Sequence, residues 1–588
     1  MSRRDGCGCN GSRDRPASPR TLSFLITPAL ERAMPLPFRF PVRLLGLAVA
    51  CLALAACPTA PKEDVAQTNA PPLFDTFGEL HRDIGSKVPQ AQRYFDQGLR
   101  LAYGFNHEAA GRAFAEAERL DPTCAMCAWG QALVLGPNIN LPMSPDLAAD
   151  ATTLALRAQQ LSRHASPADQ ALIAALVRRY QTPAPADRAP LDKAYAQAMA
   201  GAHRQFPDDD DIAALYAESL MDLTPWAYWN AQGQPTEYTD TLVATLETVL
   251  KRNPRHIGAA HYYIHAVEAS HQPERAEPYA DRLAALAPGS GHLVHMPAHV
   301  YIRVGRYHDA TLSNLAASTA DKAFLAVCRG SNGAYPLGYV PHNWHFAAMT
   351  AALHGSRTLA IEAADQTAQR VDAQQLDAMP FMQQFLVAPL FARVRFGEWQ
   401  PILAEDAPPS QVPFPKAIWH FARGMALVRT DRPNDAKKEL KALQAIASDP
   451  AMEQVVLFDI NRADRVLDVA QHMLAGEIAL ATRQTKAGIA SLQKAVAAED
   501  RLNYNEPPDW PLPVRPFLGA ALLDAGRAKE AVAVYEEDLR RFPHNGWSLY
   551  GLAQAQRKLK LTDAAAETER RQAAAWQWAD VELVASRF

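Results

Sequence analysis

Small residues, an aromatic and a proline recur along this chain at places set by a unit of 34 residues, and that register constrains the fold more than any other feature. Counting Ala91 as the first place of a unit, Gly98 stands eighth, Ala110 twentieth, Phe114 twenty-fourth, Ala117 twenty-seventh and Pro122 thirty-second. The pattern returns near the C-terminus as Gly519, Ala531, Tyr535 and Pro543, followed by Trp547, Tyr550 and Gly551. Weaker copies carry Gly424 with Ala436, and Gly476 with Leu492 and Ala495. In the middle, Ala276 and Ala310 are 34 apart. Small residues let two antiparallel helices approach, the aromatic fills the gap between them, and proline stops the second helix. A period of this length denotes one stacked array rather than the roughly three to five separate domains that the length alone would suggest.

These places are those of the tetratricopeptide repeat (TPR) superfamily, which the chain resembles over most of residues 85–575. The resemblance implies an all-α, right-handed superhelical solenoid of antiparallel helix pairs whose main activity is to bind protein or peptide ligands. The units divide into an N-terminal group at 86–209, a histidine-rich group at 210–365 and a C-terminal group at 366–588. Three stretches depart from the period, Thr224 to Thr241, Ala323 to Pro341 and Arg501 to Pro513. They are rich in Pro, Gly and aromatics, and long insertions in a repeat array usually sit on its functional face.

The first 85 residues have another logic. Leu44 to Ala56 is an uncharged run of 13 residues, preceded by Arg39 and Arg43 and followed by Cys57. It is too short to span a bilayer and fits a signal-peptide apolar region. Leu54-Ala55-Ala56-Cys57 resembles the bacterial lipoprotein box, which implies a diacylated Cys57 and, with Pro58 following, no inner-membrane retention signal. Residues 1–56 are therefore expected as a leader, of which 1–33 read as the product of a start codon upstream of Met34. Residues 57–85, rich in Pro, Ala and Thr at the start, are expected as a flexible tether. The expected location is the bacterial cell envelope, at the outer membrane facing the periplasm.

Histidine is distributed unevenly. Of 18 in the chain, 11 lie between His256 and His354. Numbering units from Ile257, Gly291 and Pro341, the fifth place holds His261, His295 and His345, the second His292 and His342, and the ninth His265 and His299. By the resemblance, places two, five, nine and twelve face the concave groove, so seven imidazoles converge there. Glu268 takes the twelfth place of the first of these units and Arg303 the thirteenth of the second, while Glu218 and Asp222 stand ninth and thirteenth one unit upstream. His261, His265 and Glu268, at i, i+4 and i+7, share one helix face. Helices packed about 8–10 Å apart bring such side chains within reach of an ion bound at about 2.0–2.1 Å. Imidazoles with one carboxylate suit Zn, Fe, Cu or Ni.

Three readings of the cluster stay open at this point: a metal site, recognition of an anionic or aromatic ligand with Arg303, or hydrogen-bond ladders that stiffen the array. In an enzyme, Glu268 or Glu218 would be ligand or general base to a metal-activated water. In a metal-free adaptor, the histidines would line a peptide groove. Cys124 and Cys127 form a C-x-x-C after Pro122, read as a local disulfide, with a redox pair or metal site as alternatives. Asp208 to Asp211 reads as a helix cap. The net charge of -4 argues against a nucleic-acid surface, which needs a basic field. No Walker loop, dinucleotide fingerprint, G-x-S-x-G or H-E-x-x-H is present in the sequence.

Overall fold

A computed structural model describes residues 70–588 apart from 231, 329–332, 372–375, 377–378, 410 and 459. The expected leader at 1–56 and Cys57 lie outside the described residues. The described chain is a succession of antiparallel α-helices with one two-stranded ribbon, Val456–Leu457 against Asn461–Arg462. None of these helices is long and apolar enough to cross a membrane.

The packing shows why the 34-residue register exists. Pro89–Tyr103 and His107–Leu120 form the first helix pair, and Ala125–Leu133 opens the next. Phe114 lies between Gly98 and Gly130, so close that a Cβ would come within 2.6 Å of its ring at the first glycine and 2.5 Å at the second. The same sandwich recurs where Arg515–Asp524, Ala528–Arg541 and Gly546–Lys558 meet. There Tyr535 sits between Gly519 and Gly551, with Cβ approaches of 2.4 and 2.2 Å. In one degenerate copy leucine replaces the aromatic, Leu492 against Gly476, whereas Gly424 meets Leu474 of the later helix Ala463–Ala481. This is a TPR-type helical-repeat solenoid, and glycine is demanded at those places by the ring it touches. Turns between helices are closed by short polar caps: Asn106 accepts from the Ala109 amide, Asp209 from Ile212 and His256 from Ala259.

Two features depart from the expected organisation. Residues 70–85, assigned to a flexible tether, are packed onto the helices. Phe74 and Phe77 stack with Phe324, Phe77 and Ile84 are buried, and the Arg82 guanidinium bonds Asp169, Asp209 and Asp211. The apolar side chains and the arginine supply a docking energy that a Pro/Ala/Thr reading overlooks. The division at 209/210 is also not a break, because one hydrophobic core runs from Phe77 to Leu353 and a second from Val387 to Leu552.

The array also closes on itself. Tyr307 donates to the Pro543 carbonyl at 2.7 Å, Trp547 Nε1 to Ala352 at 2.9 Å and Gln384 to Asp509 at 2.9 Å. Asp580 accepts from the amides of Arg357 and Thr358, capping a helix that starts 223 residues earlier in the chain. An open solenoid touches only neighbouring units; here C-terminal units lie against the histidine-rich ones.

A Gly519→Ala substitution forces a methyl group into the Tyr535 ring and is expected to lower stability by about 1–3 kcal/mol. Gly111→Ala, whose Cβ meets Val134 at an ordinary 3.5 Å, is expected to be neutral or to stabilise by up to about 1 kcal/mol. Denaturant unfolding of the two variants reads the difference.

Candidate metal centre

Three adjacent units supply the centre. Ile257–Val267 presents His261 and His265 one turn apart, and Glu268 follows at its C-terminus. The next first helix is broken into Gly291–His295 and Pro297–Val304, because Pro297 has no amide to continue the ladder. His292 and His295 lie before that break and His299 after it. Val340–Leu353 adds His342. Their ligand atoms fall into groups lying within 4.8 Å of one another: His261, His265 and His292; His295, His299 and His342; and His265, Glu268 and His299. His261, His295 and Glu268 are 0% exposed.

Each imidazole has two nitrogens, and the second partner decides what the first can do. His261 Nδ1 donates to the Tyr103 carbonyl at 2.6 Å, leaving Nε2 as a lone pair. His265 Nδ1 and His299 Nδ1 meet the two oxygens of Glu268 at 2.7 and 2.6 Å. His295 Nδ1 meets Asn314 Oδ1 at 2.6 Å, while Asn314 Nδ2 donates to Ala310, which settles that its oxygen faces the histidine. Every one of these four rings therefore has its Nδ1 engaged and turns its Nε2 inward. The Nε2 atoms of His295 and His299 then stand 2.8 Å apart, and those of His261 and His292 3.0 Å apart. At that separation either one nitrogen of a pair carries a proton towards the other or a cation lies against both. His265 Nε2 and His292 Nδ1 are buried with no protein partner. An unsatisfied buried group costs about 1–3 kcal/mol, so the cluster needs a compensating interaction.

A proton is a poor candidate for that cation. Burial pushes the imidazoles of His261, His292, His295 and His342 well below their ordinary value, and neighbouring histidines push further. Burial works to raise the Glu268 carboxyl, but His299 and His265 outweigh it and hold the group below the usual carboxylate range. His261, His292, His295 and His342 are thus held as neutral donors near one carboxylate.

The concave groove is enclosed by residues from each of the three insertions. Trp226, from the first insertion, lies edge-on to His265 at 5.2 Å. Tyr335 and Tyr339, from the second, receive the His292 amide at 3.1 Å and pack on its ring at 4.8 Å. Tyr504, from the third, donates to Glu268 Oε2 at 3.1 Å across 236 residues. Phe105 covers His261 at 4.5 Å.

The remaining site residues from the sequence go elsewhere. His345 is turned away from the group and packs on Phe385, and burial lowers it to about 4. Its fifth place is that of His261 and His295, yet only His342 of the same helix joins the ligand groups. Glu218 and Asp222 belong to no ligand group among the described residues. They pair with the buried Arg179, at 3.8 Å for Glu218, and burial raises both carboxyls. That ion pair, not the histidines, is what they serve. Arg303 lies over the Tyr504 ring at 5.1 Å and so positions the tyrosine that reaches Glu268. Glu268, offered as ligand or base, bonds His265, His299 and Tyr504 through its two oxygens and also belongs to the ligand group of His265 and His299. Cys124 and Cys127 are joined in a disulfide.

Sequence reasoning overlooked Asn314 and the Tyr103 carbonyl, while Tyr504 lies in the insertion it placed on the functional face. Asn314 had a signal: it stands twenty-fourth in its unit, where the first unit has Phe114, and a polar amide there marks a different duty. A backbone carbonyl leaves no such mark.

No protein-family model and no curated protein sequence matches the chain. Among solved structures it is similar to Cut9 in the Cut9–Hcn1 hetero-tetramer of the APC/C, with 14% identity, 86% of this chain and 76% of that one covered, and a TM-score of 0.28. It is also similar to the human IFIT1 dimer with m7Gppp-AAAA, at 12% identity over 85% of this chain and 91% of that one, with a TM-score of 0.31. Yeast Tom70 aligns at 12% identity over 83% and 90%, with a TM-score of 0.24. The chain's own register and its glycine–aromatic–glycine packing are those of the tetratricopeptide-repeat fold.

Proposed function

We propose that this protein is a lipid-tethered scaffold of the bacterial cell envelope, built of TPR-type repeats around a centre that binds a transition-metal ion. The observation that carries the metal reading is the pair His295 and His299. Both Nδ1 atoms are bonded to oxygen acceptors, and both Nε2 atoms face each other at 2.8 Å. A first-row ion satisfies both lone pairs at once, and the outer partners, Asn314 and Glu268, are of the kind that orient histidine ligands. The free energy of binding such an ion, about 10–16 kcal/mol for structural zinc, is of the size needed to offset several buried unpaired nitrogens.

The envelope reading rests on different residues. Leu54 to Cys57 resembles a lipoprotein box, and a disulfide between Cys124 and Cys127 suits an oxidising compartment. A helical-repeat scaffold offers an extended surface suited to protein binding, so a protein or peptide partner is assigned to the outer faces, the histidine groove being enclosed.

Elemental analysis of gently purified protein is expected to show stoichiometric transition metal, and the His261→Ala/His295→Ala double substitution to reduce it at least tenfold. Unchanged metal content in that variant, or none in the native protein, overturns the metal reading. Independently, Cys57→Ser is expected to move most of the protein from the membrane to the aqueous fraction on detergent phase separation. Retention in the membrane fraction would refute the lipid anchor.

A further inference from the structure

The six inward histidines form two sets, not one. His261, His265 and His292 converge as one group and His295, His299 and His342 as another, with no member in common. Within each set one nitrogen pair is in close contact, 3.0 Å in the first and 2.8 Å in the second. Among the described residues, the group that joins members of both sets does so through Glu268. That carboxylate divides its oxygens evenly: Oε1 holds His265 of the first set and Oε2 holds His299 of the second. A single ion would leave one set of three buried imidazoles without a partner, including the orphaned His265 Nε2 or the close His295–His299 pair.

The donor set and its spacing narrow the metal. All six candidate ligands are imidazoles, which excludes magnesium and calcium, since those ions need oxygen. Two nitrogens bound at about 2.0–2.1 Å lie about 2.9 Å apart when they subtend a right angle and about 3.3 Å apart at the tetrahedral angle. One close nitrogen pair per set, at 3.0 and 2.8 Å, is short enough for both nitrogens to reach one ion. Among first-row divalent ions an all-imidazole site holds copper most tightly. The carboxylate of Glu268 places one negative charge between the sets, where it lowers the repulsion of neighbouring cations.

We propose that the centre binds two copper ions side by side, one in the His261, His265 and His292 set and one in the His295, His299 and His342 set. Glu268 serves both as the shared partner behind their ligands. The proposal rests on the metal-centre reading above and sharpens it to a number and an element.

The test uses the full-length protein, stripped with a chelator, reloaded with copper sulfate and freed of excess metal by gel filtration. Two coppers per chain are expected by elemental analysis. The electron paramagnetic resonance signal is expected to account for less than half of that copper, because adjacent Cu(II) ions couple. His292→Ala and His342→Ala are each expected to retain one copper per chain and to regain a signal that accounts for all of it. One copper per native chain overturns the pair while leaving a metal centre. Two coppers with a full, uncoupled signal overturn the side-by-side arrangement. Two zinc ions retained in parallel loading, against no retained copper, overturn the choice of element. No retained metal of any kind overturns the metal centre itself. The resonance measurement on native protein needs no variant, so it decides even where a histidine substitution prevents folding.

Discussion

One buried carboxylate holds the middle of this molecule together. Glu268 accepts from His265 in its own unit, His299 in the next and Tyr504 from the far end of the chain. A lone ionised carboxylate at zero exposure would be expensive to bury. It is tolerable here because three donors converge on it, and each donor is thereby fixed in direction. The orientation of two imidazoles, the seat of the Tyr504 loop and the meeting of the early and late repeats follow from that single group. Arg303, lying over the Tyr504 ring, extends the arrangement by one more layer.

Which parts of this were legible in the sequence follows from how far apart the interacting residues are. The glycine–aromatic–glycine sandwich is made within about one unit, so Gly98 with Phe114 and Gly519 with Tyr535 leave a periodic trace. The histidine register was legible for the same reason, since places two, five and nine repeat along successive first helices. His345 departs from it, packing on Phe385, although His342 of the same helix follows it. The closure of the groove had no periodic trace at all. Trp547 meets Ala352 across 195 residues and Gln384 meets Asp509 across 125, and such contacts leave no repeating mark in the sequence. Composition misled in one place: the Pro and Ala of the tether region masked Phe74, Phe77 and Arg82, which dock it.

Two buried polar assemblies sit near each other with opposite logic. Around Arg179, one guanidinium meets Glu218 and Asp222, and the Pro137 carbonyl accepts from it. There one cation meets two carboxylates, and Arg179 Nε, Glu218 Oε2 and Asp222 Oδ1 keep no hydrogen-bond partner among the described residues. Around Glu268, imidazoles outnumber the one carboxylate and their inner nitrogens face each other. The first assembly is a buried ion pair, and the second groups ring nitrogens at the spacing of metal ligands.

The wall supplied by Tyr504 has a consequence for how the centre is made. His342, the last of the six histidines, precedes Tyr504 by 162 residues, counted as 504 minus 342. A chain folding as it emerges, N-terminal end first, assembles the imidazoles long before the loop that covers them exists. For that interval the pocket stands open on the side that the Tyr504 loop later covers.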